Sequence, residues 1–203
     1  MISNFSNISK CKLSVLSGII IGLSYPPSPF GFLAWFGLIP LIHVLFSSSI
    51  GDSIKWSFVT GLIVNVITVY WFGLNSGAGV VPALISMVAA ILYLSIFWIL
   101  FGFLSSWYNK ITGHGLSLVP LIWVFTEFLR GFGPLSFPWI NLALTQTFCL
   151  PLVQIADVTG SMGISFWIVL LNVIIYTAIR SKNVEIKILY MGGLLVLVIY
   201  LLG

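Results

Sequence analysis

Glu127 and Arg130 are the residues of this chain best placed to do chemistry. They stand three apart in the apolar run LIWVFTEFLRG, a spacing that brings both side chains to one face of a helix. Ionisable groups within a lipid-facing sequence are costly, so they turn inward, pair, and mark functional places by default. Two readings fit. In one, the pair is structural and pins its helix to a bundle. In the other, the planar arginine fork holds an anionic headgroup at the membrane interface while Glu127 orients it. Under both, an unpaired partner would be strongly destabilising, so each charge needs the other.

The residues that follow, 131–162, read GFGPLSFPWINLALTQTFCLPLVQIADVTGSM. Pro134, Pro138 and Pro151 interrupt them too often for one spanning helix. Phe132, Phe137, Trp139 and Phe148 are anchors of the kind enriched at a membrane interface. The segment is therefore expected to be irregular, lying along the outer leaflet or dipping into it, with a plain packing loop as the other reading. Cys149 lies within it with no His or Lys nearby to activate a thiol, and reads as a small apolar filler. A bridge from Cys149 to Cys11, in the N-terminal tail, would have to cross the membrane, so no disulfide is expected. His43 and His114 read as a bundle residue and a turn residue. No phosphate loop, HExxH or GxSxG occurs. The expectation is no catalytic residue, no metal and no cofactor within the chain.

The elements that must position this stretch follow from composition. Of 203 residues, 60% are hydrophobic and 6% charged, and mean hydropathy is +1.17. Soluble domains carry about 25% charged residues, so the chain is expected to be an integral membrane protein. Its net charge of +4 then concerns membrane sidedness, and no nucleic-acid partner is expected. Gly, Pro, Ser and Asn clusters divide the chain into apolar runs at about residues 13–25, 32–46, 56–74, 83–108, 116–130, 164–179 and 186–202. Each approaches the about 20 residues a span needs. The fold class is all-α, a single polytopic transmembrane bundle over residues 1–203 with about seven spans. With the N-terminus cytoplasmic, Lys10, Lys12, Lys55, Lys110, Arg180, Lys182 and Lys187 fall on the cytoplasmic side and only Arg130 outside, a strong positive-inside bias. The central stretch and the C-terminus then face away from the cytoplasm.

Several motifs also resemble a known family. TEFLRG at 126–131, FPW at 137–139, Gln146, PLVQIADVTGSMGISFWIVLLN at 151–172 and, more loosely, YPPSPFGFLAWFGLIPLI at 25–42 are similar to the membrane part of apolipoprotein N-acyltransferase. The resemblance implies a multi-pass enzyme of the bacterial inner membrane that moves an acyl chain from a phospholipid to the amino group of a lipoprotein's S-diacylglyceryl cysteine. The family's route is ping-pong through a thioester. It implies as partners the phospholipid acyl donor, the diacylglyceryl-lipoprotein and the surrounding membrane lipids. The family's chemistry resides in a nitrilase-like extracytoplasmic domain with a Glu, Lys and Cys triad, expected after the seventh helix. Residues 1–203 end where that domain is expected to begin, so the expectation is a truncated or split member, inactive alone, that would need a separate nitrilase-like chain. Glu127, Arg130, Phe137, Pro138, Trp139 and Gln146 match family positions and are candidates to shape a lipid entrance or support the catalytic domain. The alternatives are a non-enzymatic lipid-binding scaffold and a small transporter.

Overall fold

A computed structural model describes residues 9–75, 77, 79–180 and 192–193. Among these the chain is all helix and turn, with no strand. Helix α1 spans Lys10–Leu23 and is opened by Ser9, whose side chain accepts from the Lys12 amide. After the proline turn come a 3-10 turn at Gly31–Leu33, a short α2 at Ala34–Gly37 and α3 at Ile39–Ser47. Helix α4 (Ile50–Val69) runs on through a 3-10 turn to Leu74, and α5 covers Val80–Thr112. A 3-10 turn at Gly115–Leu118 leads into α6 (Val119–Arg130); α7 (Leu150–Gln154) and α8 (Ala156–Arg180) complete the described fold.

Among the described residues three helical stretches are long and apolar enough to cross a membrane: Ile50–Leu74, Val80–Thr112 and Ala156–Arg180, with Gly31–Ser47 a shorter apolar one. At 1.5 Å per residue, α5 is about 50 Å long, well beyond a hydrocarbon core of about 30 Å. Its end is set by Gly113, whose φ of 71° takes the left-handed conformation while its N–H bonds the Asn109 carbonyl, a termination that favours glycine. The sixth apolar run begins earlier than its sequence pattern indicates, because α8 starts at Ala156 and kinks at Gly160 (φ 67°). The seventh run, 186–202, lies outside the described residues apart from 192–193.

The second apolar run is broken at Leu38. Pro40 has no N–H to give back to the preceding turn, and its ring crowds the carbonyl four residues earlier. The backbone groups freed at the break are satisfied by side chains from two other helices. Asn172 of α8 accepts from the Leu38 N–H at 2.9 Å and donates to the Ala34 carbonyl at 2.8 Å, while Ser17 of α1 donates to the Gly37 carbonyl at 2.6 Å. In lipid such groups must find protein partners. Helix α4 packs between α1 and α5, and α8 lies against α2, α3 and α6. The core gathers Ile21, Leu41, Ile42, Leu94, Phe101 and Ile168. Trp123 packs edge-on against Trp98 and Phe101, with ring centres 5.0 and 4.9 Å away.

Candidate functional site

Helix α6 is amphipathic in an inverted sense. Its buried residues are Val119, Pro120, Trp123, Thr126, Glu127 and Arg130, recurring at the helical period. The other face, with Leu121, Phe125 and Phe128, is exposed, as suits a helix lying against lipid. Both charges therefore point into the bundle; Glu127 is 1% and Arg130 4% exposed.

What they meet there is the segment after α6. Residues 131–136 turn outward, the Phe137 N–H returns to the Arg130 carbonyl at 2.9 Å, and the chain re-enters as 3-10 turns at Pro138–Ile140 and Leu142–Gln146. Ile140, Asn141, Leu142, Ala143, Thr145 and Gln146 of this arch are buried. Short 3-10 pieces leave backbone groups unbonded, and side chains from α6, α8 and the proline turn take them up. The Glu127 carboxylate accepts the Leu142 N–H at 2.7 Å and the Trp123 indole N–H at 2.9 Å through the same oxygen. The Arg130 guanidinium donates to the Ile140 carbonyl at 3.2 Å and to Asn141 Oδ1 at 2.8 Å. Tyr25 donates its hydroxyl to the same Ile140 carbonyl at 2.8 Å, and Ser165 Oγ accepts the Ala143 N–H at 3.0 Å.

Glu127 and Arg130 approach to 3.8 Å, within Coulombic reach but beyond hydrogen-bond distance. Neither charge hydrogen-bonds the other: Arg130 bonds the arch, and Glu127 bonds the arch and the Trp123 indole of its own helix. Glu127 Oε2 and Arg130 Nε, which have no hydrogen-bond partner among the described residues, belong to residues lining a cavity of about 10 Å³ shared with Phe97, Trp98, Phe101, Trp123 and Thr126, the scale of one water molecule.

The far end of the arch is held by Gln146. Its amide nitrogen donates to the Gly31 carbonyl at 3.0 Å and to Thr145 Oγ1 at 2.7 Å, and its oxygen accepts the Trp35 indole N–H at 3.0 Å. Gly31 is required there: a Cβ at that position would run into the Thr145 carbonyl. The six residues singled out in the sequence thus divide by role. Glu127, Arg130 and Gln146 are buried and hold the arch. Phe137 is half-buried, with its ring 5.8 Å from that of Phe72. Pro138 is exposed, and Trp139, at the crest, is 68% exposed.

Sequence reasoning missed Tyr25, Trp35 and Ser165, which reach the arch from distant parts of the chain, Asn141 within the arch, and Asn172, which repairs the break at Leu38. The one available signal was polarity in the wrong place, since Asn172 interrupts the apolar run WIVLLNVII and an intramembrane polar residue needs a partner. Cys149 is half-buried and Cys11 exposed, both free thiols. Among the described residues no group of His, Cys, Asp and Glu is arranged to hold a metal.

A model of the apolipoprotein N-acyltransferase N-terminal domain matches residues 17–174. Curated relatives agree. The apolipoprotein N-acyltransferase of Geobacter metallireducens is 35% identical over 176 residues, 83% of this chain and 33% of the relative. That of Thermotoga maritima is 32% identical over 186 residues, 84% of this chain and 36% of the relative, and that of Pasteurella multocida 27% identical over 168 residues, covering 81% and 32%. The chain thus spans about a third of the length of the curated relatives it matches. The matched region contains α2 to α7, the second half of α1, most of α8, and the whole arch with its clamps, and on that ground the chain belongs to the apolipoprotein N-acyltransferase family, to the part represented by its N-terminal domain.

Proposed function

We propose that residues 1–203 are the membrane portion of an apolipoprotein N-acyltransferase and that the arch at 137–146 forms the edge over which the donor phospholipid reaches the catalytic centre. The observation that carries this reading is the double clamp. Two buried charges, a tyrosine, a serine and a glutamine are committed to fixing one short backbone segment, and that segment lifts an aromatic residue, Trp139, out to the surface. A plain packing loop has no need of such a set. Trp139 and the neighbouring exposed Phe132, Leu135 and Phe148 supply the amphipathic aromatic surface suited to headgroup level.

In this reading the bundle is a multi-pass protein of a bacterial inner membrane with about seven spans, a cytoplasmic N-terminus and an extracytoplasmic C-terminus. The positive-inside distribution supports that orientation. The 3.8 Å pair is first of all a clamp, and the arch it holds is where substrate passes. The acyl chain leaves the donor phospholipid for a cysteine thiol, giving a thioester and a lysophospholipid, and then moves to the amino group of the diacylglyceryl cysteine. Those bonds are made by a nitrilase-like unit outside residues 1–203, whether continuous with this chain or on a second one. Residues 1–203 seat that unit and present the lipid to it, and transfer no acyl chain by themselves.

The test is acyl transfer to a diacylglyceryl-modified peptide, with residues 1–203 reconstituted in phospholipid vesicles alone and again with a nitrilase-like domain added. Transfer only in the second case is the expected result. Transfer by residues 1–203 alone overturns the assignment of the chemistry, and a folded protein silent in both is a lipid-binding scaffold.

A further inference from the structure

The end of the bundle opposite the arch carries a second site. Helix α6 begins at this end, with Arg130 at its other terminus, so nothing here belongs to the clamp. Two cavities adjoin. One, of about 160 Å³, is lined by Ile39, His43, Phe46, Ser47, Tyr176, Ile179 and Arg180. The other, of about 510 Å³, is lined by Asn109, His114, Ser117 and the turn at 113–116, and shares Phe46 and Arg180 with the first. Phe46 and Arg180 line both, the first an apolar compartment and the second a more polar one.

The charge here is one-sided. Among the described residues no carboxylate lines either cavity; of the three acidic side chains among them, Asp52 is engaged by Lys10 at 2.8 Å, Glu127 is held at the arch, and Asp157 stands in the first turn of α8, at the other end of that helix from Arg180. Arg180 is exposed and, among the described residues, makes one hydrogen bond, a long one of 3.4 Å to the Tyr176 hydroxyl. A guanidinium has five N–H donors in a planar fork, so most of its capacity remains for a ligand. His114 on the exposed turn and Asn109, whose Oδ1 accepts the Gly115 N–H at 3.2 Å, border the same polar compartment.

We propose that this cleft binds an anionic phospholipid, with the phosphate on Arg180 in the polar compartment and the first part of an acyl chain between Ile39, Phe46 and Ile179. The apolar compartment selects a lipid over a free phosphate. The described lining, with a guanidinium and no carboxylate, favours an anionic headgroup over a zwitterionic one, whose ammonium finds no partner among those residues. The site is distinct from the donor-lipid edge at the arch, and it does not depend on the acyltransferase reading.

Native mass spectrometry tests it without any acyl transfer. The chain is released from vesicles of equal phosphatidylglycerol and phosphatidylcholine with matched acyl chains, and retained lipids are identified. The expected result is preferential retention of phosphatidylglycerol, lowered about fivefold by Arg180→Ala, restored by Arg180→Lys, and unaffected by excess inorganic phosphate. Ile39→Trp, which fills the apolar compartment, also lowers retention with every charge in place. His114→Ala, on an exposed turn, gives an independent reading and lowers retention in the same direction should Arg180→Ala fail to fold. Equal retention of the two lipids by the unaltered chain, or phosphatidylglycerol retention unchanged in both Arg180→Ala and His114→Ala, overturns the site. Displacement by inorganic phosphate alone overturns the lipid as its ligand.

Discussion

Replacing Glu127 by Gln separates the charge of the clamp from its hydrogen bonds. The glutamine amide oxygen occupies the position of Glu127 Oε1 and still accepts from Trp123 and Leu142, which stand 2.9 and 2.7 Å away. Only the attraction to Arg130 at 3.8 Å is lost. Two unit charges about 4 Å apart interact by about 4 kcal/mol at an effective dielectric of about 20, and breaking one side of a buried pair costs about 3–5 kcal/mol. Glu127→Gln is therefore expected to destabilise the bundle by about 3–4 kcal/mol. Glu127→Ala additionally strands two buried N–H donors, at roughly 1–3 kcal/mol each. In the double variant Glu127→Gln, Arg130→Met no buried charge remains, and the two substitutions should cost less together than their sum by about 2–4 kcal/mol. Reversible unfolding in mixed micelles, followed by circular dichroism, gives all the terms of the cycle. Additivity within about 0.5 kcal/mol would mean that the charges are bonded independently and do not sense each other, and would rule out the coupling of Glu127 to Arg130. Equal costs for the Gln and Ala variants would refute the role given to the Leu142 and Trp123 donors.

Three further outcomes follow from the same contacts. Asn172→Leu leaves the Leu38 N–H and the Ala34 carbonyl without their buried partner and should lower stability by about 2–4 kcal/mol in the same unfolding assay. Gly31→Ala places a methyl group against the Thr145 carbonyl and should release the far end of the arch, read as faster protease cleavage near residues 144–148 while α4 and α5 stay protected. Trp139→Ala removes an exposed side chain and should shift stability by less than about 0.5 kcal/mol, so any effect on acyl transfer in a reconstituted enzyme is attributable to the surface it presents.

The legible part of the fold was its composition and its interruptions. Val80–Thr112 is uniformly apolar and long, and Gly113 with the following His114 and Gly115 ends it where the backbone turns left-handed. Glu127 and Arg130 were legible because a charge in an apolar run has few explanations. What they touch was not. Hydrogen bonds from Tyr25 to Ile140 and from Gln146 to Gly31 join residues 115 apart in the chain, and no local periodicity carries that information. The segment 131–162 was equally hard to read, because prolines and aromatics announce irregular backbone without saying which part is buried. In the folded chain Trp139 is outside and Leu142, three residues on, has no exposed surface. The break at Leu38 falls inside the run read as residues 32–46, and its repair by Asn172 depends on a helix more than a hundred residues later.

If the arch at 137–146 presents the donor phospholipid, the first of the two half-reactions of a ping-pong acyltransferase depends on it and the second does not. With residues 1–203 joined by a nitrilase-like unit in vesicles, thioester formation from the phospholipid and subsequent transfer to the diacylglyceryl peptide are timed separately for the unaltered protein and for Trp139→Ala. Presentation of the donor lipid by the arch predicts slower thioester formation with the second step unchanged. A second step slowed instead, or both steps unchanged with the folded arch intact, would contradict it.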